Sequence, residues 1–122
     1  MAHGDYTHIE LPTDDLERGR RFYEGLFGWT FESNEFIPGY YLYRTPSGTF
    51  GGGMGMRGTT APEAIRDYVE VTSIDNTLAH VSDLGGSVVA GKDEIPGIGW
   101  WAAVKDSEGN EIGLFQPLPR RG

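Results

Sequence analysis

The chain states one pattern twice. His8-Ile9-Glu10-Leu11 followed by Asp15 recurs as Tyr68-Val69-Glu70-Val71 followed by Asp75, each position returning 60 residues later. A glycine turn then leads into the last strand of each half. Thr45-Pro46-Ser47-Gly48 precedes Thr49–Met56 in the first, and Asp106-Ser107-Glu108-Gly109 precedes Asn110–Gln116 in the second. A period this long with only two copies is too short an array for a solenoid, so it reads as two fused βαβββ units. Function is expected in the cleft that the copies shape between them.

The pattern within each copy places its elements. Tyr6–Thr13 alternates, with Ile9 and Leu11 on one face and His8 and Glu10 on the other. Asp14 or Asp15 is expected to cap a helix running to about Phe27, with Leu16, Phe22, Tyr23, Leu26 and Phe27 as its apolar stripe and Gly28 as its stop. Strands follow at Trp29–Glu32, Tyr40–Arg44 and Thr49–Met56. Thr59-Thr60-Ala61-Pro62 is the expected linker. The second copy is expected to run as a strand at Tyr68–Ser73, a helix capped by Asp75 with Leu78, Val81 and Leu84 turned inward and Gly85-Gly86 ending it, and strands at Ser87–Ala90, Gly99–Lys105 and Asn110–Gln116. The expected class is α+β: two tandem modules, about 5–57 and 66–117 with a linker at 58–65, forming one domain with a curved mixed sheet around a cleft and helices on the outer face.

Composition narrows the classes of function. With 122 residues the chain is expected to be a single domain. It has no cysteine, which excludes disulfides, thiolate metal sites and a cysteine nucleophile. A net charge of −8 argues against nucleic-acid and anionic-membrane partners. The basic pair Arg120-Arg121 reads as a solvated tail. The absence of a long apolar run or a signal-peptide layout leads to an expected cytoplasmic location.

Three stretches carry a family resemblance: His8-Ile9-Glu10-Leu11; Phe22-Tyr23-Glu24-Gly25-Leu26-Phe27-Gly28-Trp29; and Lys105-Asp106-Ser107-Glu108-Gly109-Asn110-Glu111-Ile112-Gly113-Leu114-Phe115. Together they resemble the vicinal oxygen chelate superfamily, the glyoxalase, bleomycin-resistance and dioxygenase group, with the nearest likeness to single-domain members labelled as related to lactoylglutathione lyase. The resemblance implies paired βαβββ modules and a homodimer. It also implies metal ligands from the first and last strands of each module. His8 matches the first of these seats, Tyr68 falls on the third, and Gly52 and Gly113 fall on the second and fourth. Glycine offers no side chain, and a phenol with its ordinary pKa near ~10 is a poor ligand at neutral pH. No cofactor is therefore expected, with a divalent metal as the alternative if Glu10 or Glu111 completes the set.

Strand alternation puts Glu10 beside His8, and the repeat puts Glu70 beside Tyr68. These four are the candidate catalytic residues, able to act as acid and base without a metal. Glu10 and Glu70 can equally pair with Arg44, Arg57 or Arg66 and only shape charge. Candidate ligand-binding positions are Phe50, Gly52, Met54, Met56, Gly113, Phe115 and one of Trp100 and Trp101, since adjacent strand residues face opposite ways. The same side chains can also serve as core. The reading that follows is a small-molecule-binding protein for a hydrophobic or aromatic ligand, without glyoxalase I activity. Its alternative is a metal-dependent lyase, isomerase or dioxygenase built on His8 and nearby carboxylates.

Overall fold

In the computed structural model, which describes residues 2–35, 37–48 and 50–119, the repeat is a repeat of architecture. The elements are β1 (Tyr6–Thr13), α1 (Leu16–Phe27), β2 (Thr30–Ser33), β3 (Tyr40–Arg44), β4 (Gly51–Met56), β5 (Arg66–Glu70), α2 (Ile74–Val81), β6 (Ser87–Ile95), β7 (Gly99–Lys105) and β8 (Glu111–Pro117). A 3₁₀ turn at Ser82–Leu84 extends α2. The class is α+β, and the order βαβββ-βαβββ is the expected one. The residues at Arg120-Arg121 and the expected strand start at Thr49 lie outside the described residues.

The chain forms two compact units, residues 8–66 and residues 1–7 with 67–122, here called the first and second modules. In the first, the strands run β2-β3-β4-β1, with β1 parallel to β4 and the other pairs antiparallel. In the second they run β5-β8-β7-β6, again with one parallel pair, β5 with β8. The chain start belongs to the second module, where the Gly4 N–H donates to the Glu70 carbonyl and the Glu70 N–H donates to the Asp5 carbonyl, both at 2.8 Å.

Each helix covers one face of its own sheet. Asp15 caps α1 by accepting from the Arg18 N–H at 3.0 Å, and Gly28 ends it at φ +72°, a left-handed turn that a Cβ would strain. Leu16 and Tyr23 pack from α1 onto Leu11, Tyr43 and Met54. The rest of the expected stripe does not turn inward, since Phe22, Leu26 and Phe27 are at least half exposed. Trp29 is not a strand residue. Its ring is stacked between Tyr23 and Tyr43, with centroids 5.0 Å from each, and this fixes the exit of α1 against β3.

Several expected boundaries move, for local reasons. Ser73 caps α2 in place of Asp75, accepting from the Asn76 N–H at 3.1 Å, while the Gln116 side chain accepts from the Ile74 N–H at 2.8 Å. This ends β5 at Glu70 and puts Asp75 inside the first turn, where it pairs with Lys92 at 3.0 Å. Leu78 and Val81 pack onto Val71, Ile74, Ala102, Val104 and Leu114 as expected, whereas Leu84, on the 3₁₀ turn, is 78% exposed. Strand β6 continues to Ile95 through two register shifts. The linker stretch is tied to the first module: the Thr60 hydroxyl accepts from the Met56 N–H and donates to the Gly39 carbonyl, both at 2.8 Å. No helix among the described residues is long and apolar enough to cross a membrane.

Candidate functional site

The helix decides which face of each sheet is left for chemistry. In the first module Ile9 and Leu11 pack toward α1, so the alternation of β1 turns His8 and Glu10 to the opposite, open face. On β4 the partner of Leu11 is Met54, fully enclosed in the same core. Gly52 and Met54 therefore share the covered face, and Met56 joins them, its sulfur contacted by the Thr13 hydroxyl at 3.9 Å. These expected ligand-binding positions lie under the helix and away from His8. Phe50 stands just before β4, where its carbonyl accepts from both the N–H and the hydroxyl of Thr45.

The open face of β4 carries Gly51, Gly53 and Gly55 in alternation. Gly53 is in register with Glu10, and the Tyr40 hydroxyl, arriving from β3, donates to Glu10 Oε2 at 3.0 Å. A Cβ added at Gly53 would lie 1.5 Å from that hydroxyl oxygen, so the contact needs a glycine there. Burial pushes the Glu10 carboxyl up to about 7, against the opposing pull of the Tyr40 hydrogen bond and the positive charge of Arg66. His8 is lowered to about 4 by burial, so its imidazole is neutral near pH 7. A carboxyl that is partly ionised at neutrality can both accept and release a proton, and a neutral imidazole can donate at one nitrogen and accept at the other.

The open face of the second module is built differently. Val71, Ala102, Val104 and Leu114 face α2, which leaves Tyr68, Glu70, Trp101, Gly113 and Phe115 on the other side. Tyr68 is in register with Gly113, and a Cβ there would lie 2.4 Å from the ring, so the phenol ring lies flat on the bare backbone. Phe115 is in register with Glu70 on one side and Trp101 on the other. The choice between the two tryptophans is settled: Trp100 packs on the core beneath α2, with the Lys92 ammonium 5.1 Å from its ring centroid, and Trp101 takes the open face. Glu111 is exposed at the start of β8, in register with Lys105.

His8 and Glu10 thus share the open face of the first module, and Tyr68 and Glu70 that of the second, as strand alternation implies. Tyr40 was not among the expected site residues, while the run Gly51-Gly52-Gly53 was expected only as a close strand or dimer approach. Arg66 was expected only as one of three partners, and of the others Arg57 pairs with Asp14 at 3.1 Å. The doublet Tyr40-Tyr41 was the available signal, because one of two adjacent strand tyrosines must face the open side.

Residues 6–40 match the family model described as bleomycin resistance protein-like N-terminal. CFP32 of Mycobacterium tuberculosis, named a candidate glyoxylase, is 30% identical over 114 residues, which are 92% of this chain and 44% of that protein. A solved glyoxalase/bleomycin resistance protein/dioxygenase superfamily member from Vibrio splendidus superposes with a TM-score of 0.68 at 13% identity, over 93% of this chain and all of that one. Together these matches support the vicinal oxygen chelate superfamily for this chain. The chain spans less than half the length of the mycobacterial relative. Methylmalonyl-CoA epimerase from Mycobacterium tuberculosis also shares this chain's fold, with a TM-score of 0.64 at 17% identity over 95% of this chain and 89% of that one. The superfamily hosts several chemistries on one plan, so membership gives the scaffold and the side chains must give the activity. Among the described residues, no group of three or more His, Cys, Asp or Glu side chains is placed to hold a metal ion.

Proposed function

We propose that this vicinal oxygen chelate protein binds a small organic molecule without a metal, on the open face of the first module, with Glu10 and His8 as its polar contacts. The carrying observation is the strand beside them. Every open-face position of β4 is a glycine, and the one in register with Glu10 is overlaid by the Tyr40 phenol. A divalent ion held in a protein normally takes three or more protein ligands, and His8 with Glu10 supplies two, one of them already engaged by Tyr40. The donor set does not fit the metal of the superfamily's enzymes, and we expect no turnover of methylglyoxal with glutathione. The second module offers an aromatic surface of its own, with Trp101 and Phe115 in register on its open face. We also propose a homodimer, which the exposed Phe22, Leu26 and Phe27 on α1 support. Sedimentation as a monomer at micromolar concentration would contradict it.

Two-dimensional NMR against a set of small aromatic and carbonyl compounds tests the binding reading. The expected result is a hit whose shifts cluster at His8, Glu10 and Tyr40, and whose affinity falls with His8→Ala by the ~1 to 3 kcal/mol of a lost buried polar contact. Hits that leave these residues unmoved would overturn the reading.

A further inference from the structure

Tyr40 makes a contact that its place in the sheet does not require. It enters β3 directly after Gly39, whose φ of +76° forms the turn, and its register partner is Gly55. Its hydroxyl nevertheless reaches Glu10, on the far side of β4. The ring passes over Gly53, which is in register with Leu42 on one side and Glu10 on the other. A Cβ at Gly53 would meet the hydroxyl oxygen at 1.5 Å and ring carbon Cζ at 2.0 Å, so the phenol fills the volume that a side chain at this position would take. The hydrogen bond goes to Oε2 and leaves Oε1 outside it.

The groups that act on this carboxyl are few. His8 lies two residues along β1, Arg66 contributes positive charge from the start of β5, Tyr40 donates from β3, and β4 contributes only glycines. Burial favours the neutral acid, while the phenol and the guanidinium favour the carboxylate. Of the two groups favouring the carboxylate, only Tyr40 fixes the direction in which its oxygens point.

We infer that Tyr40 is the positioning residue of this site: it anchors Glu10 by Oε2 so that Oε1 is presented to the ligand, and position 53 is glycine so that the phenol can cross β4 to do it. The inference rests on the reading that the ligand meets Glu10. Its test uses no ligand, so its failure is distinguishable from failure of that reading.

The test is a carbon-13 NMR titration of the glutamate side-chain carboxyls in the full chain, with Glu10 assigned by Glu10→Gln. Tyr40→Phe keeps the ring and removes only the donor, and we expect it to move the Glu10 midpoint upward by about one pH unit, the size of a lost hydrogen bond to a charged group. Gly53→Ala, which forces the phenol aside, should move it in the same direction. The double variant should move it no further than Tyr40→Phe alone, because both act through one bond. An unchanged midpoint in Tyr40→Phe, a protein whose fold is preserved by its ring, would overturn the inference. So would shifts that add in the double variant.

Discussion

The two modules share strand order, parallel pair and helix placement, yet their open faces are equipped for different work. In the first, glycines on β4 make room for a phenol that crosses to a carboxyl, and burial of that carboxyl, against the pull of the phenol, raises it to about 7. In the second, the one glycine at the corresponding place, Gly113, makes room for the ring of Tyr68 itself, and the face is closed by aromatic surface. The same device, a bare backbone on the strand parallel to the first, makes room for a polar contact in one copy and for ring packing in the other. Duplication thus conserves the scaffold, while single positions decide what each copy does.

The comparison can be broken most sharply at β4. If Met54 belongs to the covered face of the first module, Met54→Ala should lower stability by roughly 3 to 4 kcal/mol in chemical denaturation, the range for deleting a fully buried long side chain. A loss below about 1 kcal/mol would return Met54 to the open face and dissolve the contrast. Next in size is Gly113→Ala, whose new Cβ meets the buried Tyr68 ring. We expect a loss of about 2 kcal/mol, typical of overpacking, largely relieved in a Tyr68→Ala background. Equal losses in both backgrounds would mean that the ring does not rest on Gly113.

Glu10→Gln sharpens the contrast through pH. Glu10 is raised in the folded chain from 4.5 to about 7, so the fold holds its proton longer than the unfolded chain does. The wild type therefore loses stability as pH climbs from about 4.5 to 7, while the amide, which mimics the neutral acid, does not. At pH 8 the variant should be more stable by about 3 kcal/mol, and at pH 4 the two should coincide. His8 acts in the opposite direction, since its value is lowered from 6.5 to about 4 and the wild type should also weaken as pH falls across that window. Denaturation curves at pH 4, 6 and 8 read both effects. A Glu10→Gln difference independent of pH would remove the titrating carboxyl from the account.

Much of this plan was written in the order of residues. The 60-residue recurrence gave the two modules, and period-two alternation put His8 with Glu10 because Ile9 and Leu11 are unmistakably core. The parity of β4 was legible as well, since Met54 and Met56 alternate with glycines and the bulkier set belongs under the helix. Alignment with the metal seats of the superfamily obscured it. The Tyr40 contact was not legible, because it joins residues 30 apart across an intervening strand, and nothing local distinguishes Tyr40 from Tyr41. Nor was the raised Glu10 carboxyl, which follows from burial that only the assembled sheet provides.

The central claim is that the open face of the first module works with a proton and not with a metal ion. Calorimetric titration of zinc, nickel and, without oxygen, iron(II) into wild type and His8→Ala tests it most directly. The account predicts equal and weak heats from both proteins with each metal. Tight stoichiometric binding by the wild type, abolished in His8→Ala, would contradict it.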